Sequence, residues 1–503
     1  MKRRDFVKST MLAAGSVAAA GSVAILPVHG SCQPEAKFPE IKGLTKYVAD
    51  FIVAAKYEDI PADVLELGRK SLLDGFGLAL AGSVAETGPL VRKYIESLNL
   101  GLGKASIIGT GMKCAPRFAA FANGVSIHAD DFDDTQLAVG KDRIYGLLTH
   151  PTVPVLPPAF ALSELAHGTG KDFVLAYHLG VEVESKIAEA ISPRHYADGF
   201  HTTGTCGSFG SCAAAAKLHG LDARQTLNAM GIAAAEGAGL RENFGSMTKP
   251  FHAGHAAENG IVAVDLAQLG WTASERILEA PNGFFHAAGG GYDPGSILNR
   301  LGKPWTFASP GVSIKPFPCG SLAHPAMGEL LRLIREHDIK PQDVEKVDVG
   351  TSRNLTTTLL HHRPMTGLQG KFSMEFCLSI LLLERKASLD HFTDAVVQRP
   401  EVQEMIRRIN FYADAEAEQT GYDKMTSLLK IHMKDGKIYS GRADFAKGSP
   451  TNPMSYEEIA DKFRGCAEYA KWPSKKAEAV VEYVKKLETL PDIGALASAL
   501  TGA

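Results

Sequence analysis

The sequence predicts a mostly α-helical protein that carries one smaller α+β section. Three observations predict it. From Pro39 to about Thr272 the apolar residues recur at helical spacing. Near Ala273 the pattern breaks into a Gly-rich loop, alternating stretches and a hairpin signal. Beyond about residue 450 the helical spacing returns. A chain of 503 residues, 45% hydrophobic and 22% charged, has ample material for a large core.

The first thirty residues stand apart from this plan. Arg3-Arg4 precede Asp5, Phe6, Val7 and Lys8, and a weakly apolar run follows from Met11 to Val28. Residues 1–30 therefore resemble a twin-arginine export signal, which delivers folded protein across the bacterial inner membrane. The expected partner is the twin-arginine export machinery and the expected location the periplasm. The run is rich in Ala, Gly and Ser, a poor permanent anchor. Cys32 invites lipidation, but Val28-His29-Gly30-Ser31 fit that signal badly, and none is expected. No later stretch has the roughly 18 unbroken apolar residues of a spanning helix.

In the helical section, "PADVLELGRKSLLDGFGLALAG" (61–82) opens on Pro and carries an apolar stripe. "PTVPVLPPAFALSELAHG" (151–168) starts with prolines and then does the same. "GSCAAAAKLHGL", "QTLNAMGIAAAEGAGL" and "GHAAENGIVAVDLAQLGW" each present a face of small residues, which permits close helix approach. "PNGFFHAAGGGYDPG" (281–295) reads as a loop, since it lacks the strand and spacing of a phosphate cradle. "VEKVDVGTS" (344–352) alternates like a strand, and "LLKIHMKDGKIYSG" (428–441) reads as a hairpin about Asp435-Gly436. "HPAMGELLRLIREH" (324–337) is a helix. Ser455 and Glu458 form a capping box that opens the helical tail. Repeats, low-complexity tracts and coiled coil are not evident.

The net charge of −3 does not suit nucleic acid or an anionic membrane surface. Seven cysteines, at 32, 114, 206, 212, 319, 377 and 466, include no C-x-x-C pair. Zinc and iron–sulfur sites are not expected, and the cysteines read as mostly buried free thiols. The sequence shows no cluster of metal ligands, so no metal and no cofactor are expected.

The stretch with the most chemistry is "HADDFDDT" (128–135). Four acids in five positions repel one another, and burying them is costly without partners. It sits within "FANGVSIHADDFDDT". Then come "THPTVPVLPPA" with His150, "GFHTTGTCGSFGS" with His201, "MTKPFHAGHAAENG" with Lys249 and His252, and "IKPFPCGSLAHPAM" with Lys315, Cys319 and His324. In these motifs and their order the sequence resembles the MmgE/PrpD family, which includes 2-methylcitrate dehydratase, cis-aconitate decarboxylase and iminodisuccinate epimerase. The similarity runs from about Lys46 to the C-terminal helices.

The resemblance implies a large helical domain over 40–272, completed by C-terminal helices over 451–490, with a smaller α+β lid over 273–450. It implies a homodimer, an active-site cleft between helical domain and lid, and chemistry without metal or organic cofactor. The catalytic positions it carries over are Asp131, Thr135, His150, His201 and Lys249; Lys249, Lys315 and His252 are the positions for substrate binding. Physical chemistry supports the set. Small di- and tricarboxylates need fixed cations, which Lys249 and Lys315 supply. Removing a proton next to a carboxylate builds charge that the same lysines stabilise, while His or Asp moves the proton.

The remaining polar residues have plainer readings. Asp130, Asp133 and Asp134 read as helix-end or solvent-facing acids, Thr135 could cap a turn, and His128, His252 and His324 read first as structural. Cys319 reads as a packed thiol; His361-His362 and Arg194–Tyr196 read as surface or lid residues. Two departures from the family stand out. The segment 136–149, "QLAVGKDRIYGLLT", is long, and it could bring Lys141 or Arg143 near the site. The decarboxylase branch carries a His five residues after the lid Lys, where this chain has Gly320. The expected function is a cofactor-independent lyase that dehydrates a small hydroxy di- or tricarboxylate. Epimerisation or decarboxylation of a related carboxylate is the close alternative, and non-catalytic periplasmic carboxylate binding is the reading from another class.

Overall fold

The computed structural model describes residues 38–101, 103–137, 147–191, 194–420 and 424–502. The twin-arginine-like segment, Cys32, and Lys141 and Arg143 of the long 136–149 segment lie outside the described residues. The protein is mostly α. Its principal helices in the first part are α1 (Ala62–Val84), α2 (Pro116–His128), α3 (Thr152–Ala166), α4 (Gly170–Ile191), α5 (Gly207–His219), α6 (Ala223–Glu236) and α7 (Thr248–Gln268). Among the described residues no helix is long and apolar enough to cross a membrane.

The small-residue faces do what their composition implies. A Cβ on Gly124 of α2 would lie 2.9 Å from the Cα of Gly254 on α7, and one on Gly254 would lie 2.6 Å from the carbonyl oxygen of Phe121. The two backbones therefore touch, a crossing that only glycine permits. It sets the end of α2 beside the start of α7, four residues from Gly124 to His128 and five from Lys249 to Gly254. Pro157 and Pro158 lie inside the buried helix α3 rather than ahead of it.

The apolar residues Ile277, Leu278, Phe284, Phe285, Ile297 and Leu301 pack with this helical core. A separate apolar cluster begins at Cys319. Trp305, Phe307 and Ile314 pack with the helical core as well, so apolar contacts with the helices continue past 272/273. The pattern change near Ala273 marks the end of long helices, whereas the chain goes on burying side chains against them. Part of the Gly-rich stretch forms a short helix, Phe284–Gly289.

Besides a two-stranded pair, Ala105–Ser106 with Lys113–Cys114, two sheets follow from the remaining segments. The first is small: β1 (Thr135–Leu137) lies between β2 (Leu147–Thr149) and β3 (Val312–Ser313), antiparallel to both. The second has four strands, with β4 (Val344–Thr351) between β5 (Ile409–Ala413), which is parallel to it, and β6 (Ser427–Met433), which is antiparallel; β7 (Ile438–Ala443) pairs with β6 at the edge. Gly436 at φ +85° closes the β6–β7 hairpin. Val344, Val347, Val349, Leu429 and Ile431 bury one face of this sheet against α8 (His324–Glu336) and α9 (Met374–Glu384).

The tail forms α10 (Tyr456–Tyr469), α11 (Ser474–Lys485) and α12 (Gly494–Leu500). Ser455 Oγ accepts from Glu458 N, and Glu458 Oε2 accepts from Ser455 N, so the capping box is real. A Cβ on Gly77 of α1 would lie 3.2 Å from the Cα of Phe463, so α10 lies flat on the first long helix.

Candidate active site

The small sheet is what assembles the site. After α2 ends at His128, the acidic loop runs directly into β1 at Thr135. β2 ends at Thr149 and delivers His150; β3 ends at Ser313, two residues before Lys315. Lys249 and His252 come from the first turns of α7. His201 precedes the short helix Thr202–Thr205.

Asp131 is the centre. Its φ is +53°, a left-handed conformation that is uncommon outside glycine and is held only where surrounding contacts fix it. Lys249 Nζ donates to Asp131 Oδ1. Lys315 Nζ lies 3.1 Å from the same oxygen and donates to the Asp131 carbonyl at 2.7 Å. His150 Nε2 is 4.0 Å from Oδ1. Burial alone would raise the Asp131 carboxyl, but Lys249, Lys315, His150 and His128 together hold it well below the ordinary carboxylate range. Burial lowers Lys249 from the ordinary lysine value despite Asp131 beside it. Burial also lowers His150, and burial with Lys249 nearby drives His201 well down. At neutral pH the cleft therefore presents an ionised Asp131 and neutral imidazoles.

The other acids of the loop are not solvent-facing. Asp133 is 1% exposed; both its oxygens lie 2.9 Å from His128 Nδ1, and one lies 3.2 Å from His150 Nδ1. Asp134, also 1% exposed, accepts from Thr152 N at 3.2 Å and Thr152 Oγ1 at 2.5 Å. Burial pushes its carboxyl up to about 7, so it is substantially protonated near neutral pH. Asp130 takes Lys371. Four acids share a short loop because partners hold each of them; His128 lies in the same stretch, while Lys249, Lys315, Lys371 and His150 come from parts of the chain that local sequence does not connect.

A cavity of about 280 Å³ opens on this cluster. Of the residues singled out in the sequence, Asp131, His150, His201, Lys249 and Lys315 line it. Thr135 does not: it is buried, and its hydroxyl has no hydrogen-bond partner among the described residues. His252 does not either; its Nδ1 lies 3.2 Å from His201 Nδ1, so it backs the ring that does. His128 stands behind His150 through the shared Asp133, more than a merely structural histidine. Gly320 lines the cavity, while His324 is turned away against Cys319, its Nε2 3.4 Å from a fully buried thiol.

Several lining residues were not among the catalytic and binding candidates. Tyr196 is buried and lines the cavity, and His195 is buried too, so this pair is neither surface nor lid. Arg241 stacks over the Tyr196 ring at 4.0 Å and donates to its carbonyl at 2.8 Å. His361 also reaches the cavity, whereas His362 faces Glu375. A lone Arg or His in a loop has no periodicity to betray it. Charged lining residues are Lys249, Lys315 and Arg241 against Asp131 and Glu242, a balance suited to an anionic ligand.

His128, Asp131, Asp133 and His150 place ligating atoms within 4.8 Å of one another, a grouping that the acidic stretch begins and that His150, 17 residues after Asp133, completes. Two lysines already occupy Asp131, and Asp133 is shared by two imidazoles. A dication here would meet those ammonium groups at contact distance, so the electrostatics favour an anion.

Residues 46–296 match the MmgE/PrpD N-terminal domain and residues 317–488 the MmgE/PrpD C-terminal domain. The chain is similar to cis-aconitate decarboxylase of Homo sapiens, 27% identical over 474 residues that cover 92% of this chain and 95% of that protein. It is 27% identical over 484 residues to cis-aconitate decarboxylase of Mus musculus, covering 92% and 94% of the two chains. It is 28% identical over 481 residues to cis-aconitate decarboxylase of Aspergillus terreus, covering 90% and 94%.

Proposed function

The chain belongs to the MmgE/PrpD family, and from that premise we propose that it is a cofactor-independent lyase that dehydrates a small hydroxy tricarboxylate or dicarboxylate in this cleft. One observation carries the chemistry. The neighbours of His150 Nδ1 are the Asp134 carbonyl at 2.9 Å and the Asp133 carboxylate at 3.2 Å, both acceptors. That nitrogen therefore bears the proton, and in the neutral imidazole Nε2 is left as a base on the cavity side.

The steps follow. Lys249 and Lys315 hold a substrate carboxylate, and Arg241 supports a second. His150 Nε2 takes the proton from the carbon next to the held carboxylate, and the charge that builds there is spread onto oxygens facing the two ammonium groups. The C–O bond on the neighbouring carbon then breaks. Hydroxide leaves with a proton from Lys249, whose acidity burial has increased, and returns to solvent as water. Asp131 remains ionised and orients both lysines.

A second reading, decarboxylation of cis-aconitate, is favoured by the names of the relatives. That reaction leaves a carbanion that needs a proton donor. Gly320 offers none at the position where the family's decarboxylases carry His, though His361 lines the same cavity. Dehydration run backwards hydrates cis-aconitate, so one substrate tests both readings. Purified protein incubated with cis-aconitate and followed by proton NMR is expected to give citrate or isocitrate. Itaconate formed at about 1 s⁻¹ or faster, within the usual enzyme range, would establish decarboxylation instead. No turnover of cis-aconitate or of a wider hydroxy-carboxylate panel would leave carboxylate binding without catalysis.

We also propose a homodimer, and export by the twin-arginine route on the strength of Arg3-Arg4.

A further inference from the structure

We propose that Lys371 is a positioning residue, holding the turn that carries Asp131 and thereby making the cleft competent only when the α+β section is seated; this rests on the reading of the cleft given above. The turn needs holding. Asp131 is left-handed without being glycine, so its own backbone preference works against the geometry that brings its carboxylate to Lys249.

The hold comes from three lysines on three successive carbonyls. Lys371 Nζ donates to the Asp130 carbonyl at 2.7 Å and to Asp130 Oδ1 at 2.8 Å. Lys315 Nζ takes the Asp131 carbonyl at 2.7 Å. Lys462 Nζ of α10 takes the Phe132 carbonyl at 2.8 Å and lies 3.7 Å from the Phe132 ring centroid. All three side chains are nearly buried, at 4%, 2% and 6% exposure. Burying a long ammonium side chain costs rotamer freedom and desolvation, which a surface-grade contact would not offset. Lys315 lines the substrate cavity; Lys371 does not. Lys371 lines a second cavity, of about 330 Å³, that meets the first at Asp131, Lys249 and Phe372. Its ammonium therefore does not touch a substrate in the first cavity and acts there through the turn that it holds.

The same residue also grips the α+β side. The Lys371 carbonyl accepts from Gly320 N at 2.8 Å, and Gly320 lines the substrate cavity. One residue thus fastens the Lys315–Gly320 segment with its main chain and the Asp130–Asp131 turn with its side chain. If the α+β section shifts away, the Asp130 carbonyl loses its donor and the turn is free to relax.

The experiment compares K371M, K371R and D130N in the full chain, by steady-state turnover of cis-aconitate and by crystallography. K371M is expected to lower kcat about 10–100-fold, the effect of misplacing a reacting group by about 1 Å, with KM within about threefold because no substrate contact is lost. K371R, which can still donate to both oxygens, is expected to recover most of the loss. D130N is expected to be milder, because the carbonyl contact survives. The K371M crystal structure is expected to show Asp131 out of the left-handed region or its carboxylate displaced from Lys249. Normal kcat in folded K371M, or an unmoved Asp131, overturns the inference. So does a kcat loss that K371R fails to restore. Asp131→Asn and Lys249→Ala serve as controls. If they too retain full turnover, or the parent chain leaves cis-aconitate unchanged, the reading of the cleft fails, and the crystal structure alone decides the role of Lys371.

Discussion

Replacing Asp131 by Asn separates binding from turnover. The substitution keeps the shape and removes one negative charge from between two buried ammonium groups, one touching Oδ1 and one 3.1 Å away. At an effective dielectric of about 20, a pair near 3–4 Å is worth roughly 4–5 kcal/mol in Coulomb terms, and breaking a buried pair costs about 3–5 kcal/mol net. The apo protein should therefore lose stability, visible as a lower melting temperature. A tricarboxylate entering the cavity would now meet Lys249, Lys315 and Arg241, with Glu242 the remaining acid among the described lining residues. Binding should hold or tighten, and citrate should return part of the lost melting temperature. Turnover should collapse, because the lysines are no longer aimed. The expected outcome is kcat lower by about 10²–10⁴-fold, the range for a lost acid/base group, with KM unchanged or lower. Steady-state kinetics on cis-aconitate and thermal melts with and without citrate measure all of it. A kcat within threefold of the parent would remove Asp131 from the mechanism. A KM that rises in step with the loss of kcat would show that it contacts substrate rather than organising the cations.

Other expectations are simpler. Thr135→Val should leave kcat within about threefold, because a buried hydroxyl away from the cavity and unpaired among the described residues gives up little when removed; a large loss would put Thr135 back in the site. Asp134 has a raised folded pKa, about 7, so the stability its proton confers is present below about pH 4 and lost as pH rises through 7. Relative to the parent, Asp134→Asn should accordingly gain across that window, by up to about 4 kcal/mol at 1.36 kcal/mol per unit; urea midpoints at pH 5 and pH 8 that move in parallel would contradict the protonated state. Activity should survive exhaustive chelation, and its loss with recovery on adding one metal would assign the His128–Asp133 group to an ion. Arg3-Arg4 replaced by Lys-Lys should strand the protein in the cytoplasm, which fractionation of cells would reveal.

What the sequence made legible was whatever its local chemistry determines. Ser455 and Glu458 cap a helix through contacts three residues apart, and Asp435-Gly436 closes a hairpin by its own backbone preference. Five lining residues were legible because Lys249 and Lys315 stand before prolines in apolar surroundings and match a family pattern. The three-stranded sheet that gathers the site was not legible. Its strands are two or three residues long, too short for any alternation to register. Nor was the burial of Asp133 and Asp134, since two of the partners that make it tolerable, His150 and Thr152, are brought in by tertiary structure. Nothing in the local sequence marks Lys371 or Lys462. Only the fold shows them pointing inward.

The Phe132 carbonyl receives its donor from Lys462, 330 residues further along the chain. The same ammonium sits 2.6 Å from Asp74, whose carboxyl burial raises to about 6. Synthesis therefore places the acidic loop outside the ribosome long before its last restraint exists. At 5–20 residues per second that delay is on the order of 20–60 s. Throughout it, four neighbouring carboxyls must stay hydrated or borrow other cations, and premature closure around them is electrostatically resisted. A chain interrupted before α10 would carry every lining residue yet lack the tether behind Phe132.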